Sequence, residues 1–98
     1  MPPLKWSRAA LLDIARLRDF LALSNLNAAE RAVQAIRSGV RILERQPQLG
    51  RPLDDMPPGF REWMIPFGHG AYVVLYHFDG HEVVLLAIRH AREAGYQE

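Results

Sequence analysis

An imidazole, two guanidinium groups and a phenol fall close together at the carboxyl end of the chain, in Arg89-His90-Ala91-Arg92-Glu93-Ala94-Gly95-Tyr96. If they converge in space, their chemistry is that of RNA cleavage. Arginine would stabilise the charge that builds on a phosphorane-like transition state while His90 or Tyr96 moved protons. Alternation along a strand sends Arg89 and His90 to opposite faces and leaves Arg92 just past the strand end. The same residues therefore also read as a solvated strand end followed by a tail.

The other chemical candidates are weaker. His77-x-x-x-His81 has ligand-like spacing, but a tight hairpin between the two puts their side chains on opposite faces of a sheet. His69 and His90 become cross-strand neighbours if the ladder extends, yet two imidazoles without a carboxylate or thiolate make a poor metal site. The chain has no cysteine, which excludes disulfides, zinc-thiolate sites and thiol catalysis. Gly68-His69-Gly70 is turn punctuation, not a phosphate-binding loop. No metal and no cofactor are expected. A net charge of +1, from 12 basic and 11 acidic residues, does not suggest broad nucleic-acid binding. Arg31, Arg37, Arg41 and Arg45 are interrupted by Glu30 and Glu44, which reads as a solvated helix face.

The elements that must position these groups follow from periodicity. The 98 residues suit one α+β domain spanning 1–98, with 49% apolar content to build its core. Lys5-Trp6 reads as a short first strand, and Ser7 as the N-cap of a helix over Arg8 to Leu23, with Ala10, Ile14, Leu17 and Leu21 on one stripe. Asn27 with Glu30 forms a capping-box pattern that starts a second helix carrying Ala29, Val33, Ile36, Val40 and Leu43 inward and ending at Pro47. Gly39 inside it suggests a close approach of the first helix. Residues 47–59 read as a loop. Phe60 to Phe67 reads as a strand near a sheet edge, since it contains Pro66.

Ala71 to Phe78 and His81 to His90 flank Asp79-Gly80, a two-residue hairpin signal. That turn sets Phe78 opposite His81, Tyr76 opposite Val83, Val74 opposite Leu85 and Tyr72 opposite Ala87. Both faces of this hairpin are apolar in the middle, so it should be covered on both. The helices can cover one; the other needs part of the chain, or a partner. The apolar runs Ala71 to Tyr76 and Val83 to Ile88 are far short of the ~20 residues of a membrane span. Met1 to Lys5 lacks the apolar region of a signal peptide, so a cytoplasmic protein is expected.

Taken in order, these pieces resemble the ParE/RelE superfamily of toxins from bacterial type II toxin–antitoxin systems, and more closely its ParE branch. The resemblance rests on Trp6-Ser7 entering the first helix, Asn27-Ala28-Ala29 opening the second, and Leu43 with Pro47-Gln48-Leu49-Gly50-Arg51 closing it. It continues through Phe60-Arg61, Ala71 to Tyr76, Asp79-Gly80 and Val84 to Arg92. It implies a β-α-α-β-β-β chain with a helical hairpin packed on a small antiparallel sheet. It also implies toxicity inside the producing bacterium and neutralisation by a cognate, ParD-like antitoxin in a hetero-oligomer that meets DNA only through the antitoxin. RNA-cutting members carry lysines where this chain has Glu62 and Met64, and an arginine where it has Val73. Only their late arginine has a counterpart, Arg92.

The resemblance thus implies a toxin that inhibits DNA gyrase by direct binding, without chemistry of its own. The alternative is a ribosome-dependent mRNA endonuclease using His90, Arg92 and Tyr96. Arg61, Arg89, His90 and Arg92 are the candidate toxicity surface. Phe20, Leu23, Trp63, Ile65, Arg37 and Arg41 are the candidate antitoxin contacts, in a groove along the helical hairpin and the Phe60–Phe67 edge.

Overall fold

The computed structural model describes residues 1–97. Leu4–Trp6 form β1, and Ser7 turns the chain into α1, Arg8–Ala22. The Ser7 hydroxyl accepts the Ala10 N–H at 3.0 Å, satisfying one of the orphan donors of the first turn. The second helix, α2, spans Leu26–Gly39. Its cap is Asn25, not the expected Asn27: extended backbone at Asn25 lets its side chain accept the Ala28 N–H at 3.0 Å. Asn27 and Glu30 already lie inside the helix, so their spacing only imitates a capping box. α2 also ends earlier than Pro47. After Gly39 the chain tightens into a short 3-10 turn over Arg41–Glu44.

Gly39 makes room for a strand, not for α1. A Cβ there would stand 2.8 Å from the side chain of Ile65, which is buried beneath it. Ile65 belongs to β3, Phe60–Phe67. Before β3, Arg51–Pro52 form β2, a two-residue strand within the segment expected to be a loop. Then follow β4, Gly70–Phe78, and β5, Val83–His90.

The sheet order is β1-β5-β4-β3-β2, and β1 runs parallel to β5 while the other pairs are antiparallel. β1 covers only Val83 to Leu85 of its neighbour, and β2 covers only Arg61 and Glu62 of β3. Both helices lie on one face. There Ala10, Ile14 and Leu17 of α1 and Ala32 and Ile36 of α2 pack with Ile65, Tyr72, Val74, Tyr76, Val83, Leu85 and Ile88.

The β4–β5 register corrects the sequence reading. Phe78 faces Val83 rather than His81, and Tyr76 faces Leu85. Asp79 is the cause: its carboxylate accepts the N–H groups of His81 and Glu82, both at 2.8 Å, widening the turn to four residues. Those N–H groups, from Glu82 first and His81 second, hold the carboxyl below its ordinary 3.8. Further along, the register shifts between Leu75 and Tyr76, so that Leu75 faces Ala87 and Tyr72 faces His90. Leu86 is the extra residue of this bulge. It exchanges the faces of everything after it, turning Ile88 and His90 toward the helices and Arg89 away from them.

Candidate functional site

The sheet face turned away from the helices carries Glu62 and Met64 from β3, Val73 and Leu75 from β4, and Ala87 and Arg89 from β5. Val73 and Ala87 are nonetheless buried. The chain's own carboxyl end reaches across this face. The Tyr96 hydroxyl donates to Glu62 Oε2, and the Tyr96 ring lies 5.2 Å from the Arg89 guanidinium. Arg89 is on β5 and Glu62 on β3, so Tyr96 bridges the two strands that flank β4. Beside it lies an open cleft of about 370 Å3 walled by Leu49, Arg51, Glu62, Met64, Val73 and Arg89.

The charges on this face are mutually engaged. Glu62 Oε1 pairs with Arg51 at 2.7 Å while its other oxygen takes the phenol. Arg89 Nη1 lies 3.3, 3.2 and 3.1 Å from the carbonyls of His90, Ala91 and Glu93, gathering the tail. Burial first, and the Glu62 carboxylate second, push the Tyr96 phenol well above its ordinary 10.0. It is therefore a fixed hydrogen-bond donor at neutral pH. Glu93 anchors the root of the tail. Its Oε1 accepts the His90 N–H at 2.8 Å, and its Oε2 pairs with Arg16 of α1 at 3.0 Å.

The residues of the ribonuclease alternative are spread over both sides of the sheet. His90 packs edge-on against Tyr72 on the helix side, and its Nδ1 accepts the Arg92 N–H at 3.1 Å. Tyr96 is on the far side with Glu62. The Arg92 side chain is exposed. Of the candidate toxicity surface, Arg89 lies in the cleft wall, whereas Arg61 is turned inward. The Arg61 guanidinium donates to the carbonyls of Gln48 at 2.9 Å and Gly50 at 2.7 Å, clamping the segment that follows the 3-10 turn.

The candidate antitoxin contacts also divide. Ile65 is buried and Trp63 donates its indole N–H to the Gly39 carbonyl at 2.9 Å, so both serve the packing of α2 on β3. Phe20 and Leu23 are 72% and 86% exposed near the tip of the helical hairpin, joined there by Leu26. Arg37 and Arg41 line a polar groove with Leu4 and Trp6 beside β1. Arg37 is in the last turn of α2, about 17 Å from the helix start at 1.5 Å per residue, and Arg41 opens the 3-10 turn beyond it.

Three residues that matter to the site carry no signal in one-dimensional patterning. Glu93, Arg51 and Tyr76 act through partners 77, 11 and 26 positions away. The Tyr76 hydroxyl accepts the Gly50 N–H and donates to the Pro47 carbonyl, both at 2.8 Å, pinning the cleft's rim from below. Of the histidines with ligand-like spacing, His77 packs edge-on against Phe60, and His81 sits in the wide turn. Among the described residues no group of three or more His, Asp or Glu side chains is placed to hold a metal ion, and no helix is long and apolar enough to cross a membrane.

Two helices on one face of a five-stranded sheet is a fold this chain shares with a solved toxin–antitoxin protein. A structure described as the chromosomal ParDE TA system from P. aeruginosa superimposes with a TM-score of 0.72 at 28% sequence identity, over 92% of this chain and 96% of that chain. No curated protein matches the sequence. The family described as the ParE toxin of the type II toxin-antitoxin system, parDE, matches residues 4–95, and the chain belongs to it. The resemblance read from the sequence therefore holds, on its ParE side.

Proposed function

We propose that this ParE-family toxin acts by contact, inhibiting DNA gyrase, and that a cognate antitoxin silences it by binding. The observation that carries this reading is the state of Glu62. RNA-cutting members of the superfamily place a lysine at this position, whereas here a carboxylate stands there, already paired with Arg51 and Tyr96. A carboxylate on that face repels a scissile phosphate instead of stabilising it. His90 and Tyr96 lie on opposite sides of the sheet, so they do not form an acid–base pair around one phosphate. What supports gyrase as the target is membership of the ParE branch. The exposed apolar residues Phe20, Leu23 and Leu26 support a neutralising segment that is apolar in its middle, and Arg37 and Arg41 support acidic flanks.

The test uses purified toxin in two reactions. Gyrase should lose supercoiling activity in proportion to added toxin, and the antitoxin should restore it. Translating ribosomes should show no codon-positioned cuts in mRNA. Cuts that disappear with Arg92→Ala would transfer the chain to the ribonuclease branch.

A further inference from the structure

Tyr96 occupies its place as a ligand occupies a site. The seat has a carboxylate that accepts the hydroxyl and a guanidinium against the ring, and both border the cleft that Val73 also lines. The carboxylate and the guanidinium come from different strands, β3 and β5, so their backbones are fixed by the sheet and not by the tail. Among the described residues no helix or strand follows β5. The tail is held at its root, among the described residues, by the Ala91 N–H on the Ala71 carbonyl, the Arg92 N–H on His90, Glu93 and the Arg89 contacts. At its end it is held by Tyr96 and by Gln97, which donates to Glu93. Between them Ala94 and Gly95 are exposed. Such a segment opens at far lower cost than the sheet beneath it.

We propose that residues 91–97 form a displaceable strap whose Tyr96 is an internal ligand, seated where a protein partner of the toxin inserts a phenol-bearing side chain. The proposal rests on the contact reading above and assigns that contact a place. The chemistry of the seat selects the occupant. Glu62 needs a hydroxyl donor and Arg89 needs a π face, and a tyrosine supplies both from one rigid side chain. A phosphate or nucleotide would satisfy Arg89 and Arg51 but would meet Glu62 as a like charge. The strap competes with the partner, so the apparent affinity of the free toxin is reduced by the fraction of molecules whose strap is closed.

Two measurements on the purified toxin test this. Amide exchange follows Arg92, whose N–H is bonded to His90 Nδ1, and Glu93, whose N–H is bonded to the His90 carbonyl. Tyr96→Phe removes only the hydroxyl held by Glu62 and should speed both amides about tenfold, with Val74 and Leu85 unchanged. Unchanged strap amides in Tyr96→Phe would overturn the latch. Titration of gyrase with Tyr96→Ala should then give tighter binding than the parent toxin by about threefold or more, because self-competition is gone. Glu62→Gln should exchange as fast at Arg92 and Glu93 yet bind more weakly than Tyr96→Ala, since it loses the seat as well as the latch. Weaker binding by Tyr96→Ala than by the parent would make Tyr96 a direct contact and refute the internal ligand. If neither the parent toxin nor any variant binds gyrase, the contact reading falls, while the exchange rates still decide the strap.

Discussion

The carboxylate of Asp13 accepts the backbone N–H of Ile88 at 2.8 Å, joining the buried side of α1 to the edge of β5. β1 stops pairing at Leu85, and beyond it β5 has an open edge whose backbone groups need partners. α1 supplies them from side chains: Ser7 Oγ donates to the Leu86 carbonyl, Asp13 serves the Ile88 N–H, and Arg16 reaches the Ile88 carbonyl. Asp13 is the one buried charged residue among those described, and Arg16 lies 3.8 Å from its other oxygen. Asp13→Ala leaves a buried N–H unpaired and Arg16 short of a partner. It should lower stability by about 2–3 kcal/mol in urea unfolding, with Asp13→Asn costing less. A loss under half a kcal/mol would show that water replaces the carboxylate at this edge.

Glu93 makes stability depend on pH. Burial pushes its carboxyl up, but the His90 N–H and Arg16 outweigh burial and hold it below the ordinary 4.5. A carboxylate depressed in the folded state contributes stability that is present above its unfolded value and lost as pH falls through the folded one. The parent protein should therefore exceed Glu93→Gln by about 1 kcal/mol at pH 7, discounted for the partial exposure of both partners. The gap should close as the pH is lowered past 4.5 toward the depressed value. Melting temperatures of the pair across that range supply the check, and a gap independent of pH would remove Glu93 as an ionised anchor.

How much of this was legible in the sequence depends on the distance over which each feature acts. The helices, the strands and the turns at Ser7 and Pro66 follow from local periodicity and backbone preference, whereas the length of the turn at Asp79-Gly80 does not, because the Asp79 carboxylate takes two N–H groups and widens it. Lys5-Trp6 as a strand and the helical hairpin were legible for the same reason. The faces of Arg89 and His90 were not, because a single bulge at Leu86 decides them, and no residue type there announces a bulge. The apolar pattern calls for cover on the far sheet face, but the Tyr96–Glu62 bond that brings the carboxyl end there is a contact across 34 positions. Trp63 and Ile65 read as partner contacts because large apolar residues near an edge resemble an interface. In the free chain Ile65 is buried against Gly39, and Trp63, partly buried, donates to the Gly39 carbonyl.

Gly39 itself can be tested against its helix. Alanine there would gain up to about 1 kcal/mol of helix propensity. Against that gain, the new methyl group meets the buried Ile65 side chain at 2.8 Å, inside any real Cβ contact. Overpacking of this kind costs about 1–3 kcal/mol, so Gly39→Ala should be net destabilising. Pairing it with Ile65→Val should recover part of the loss, because the two changes share one space. Simple additivity of the two destabilisations would mean that the contact is relieved elsewhere.

The exposed tip of the helical hairpin gives the prediction that bears on neutralisation. Phe20 and Leu23 are large apolar residues at 72% and 86% exposure, and neither contributes to the buried core. Replacing both by serine should leave folding stability within about 0.5 kcal/mol, as for surface positions without caps, buried hydrogen bonds or cavities. An interface that uses them as anchors would lose about 2 kcal/mol or more, equivalent to a thirtyfold weaker complex. The toxin bearing Phe20→Ser and Leu23→Ser should therefore still arrest growth when expressed alone, while co-expressed antitoxin should relieve the arrest poorly. The two measurements separate the possible failures. Loss of toxicity together with loss of stability would place these side chains in the fold. Full relief by the antitoxin, at unchanged toxin levels and toxicity, would move its contact away from the hairpin tip, toward the Arg37 and Arg41 groove beside β1.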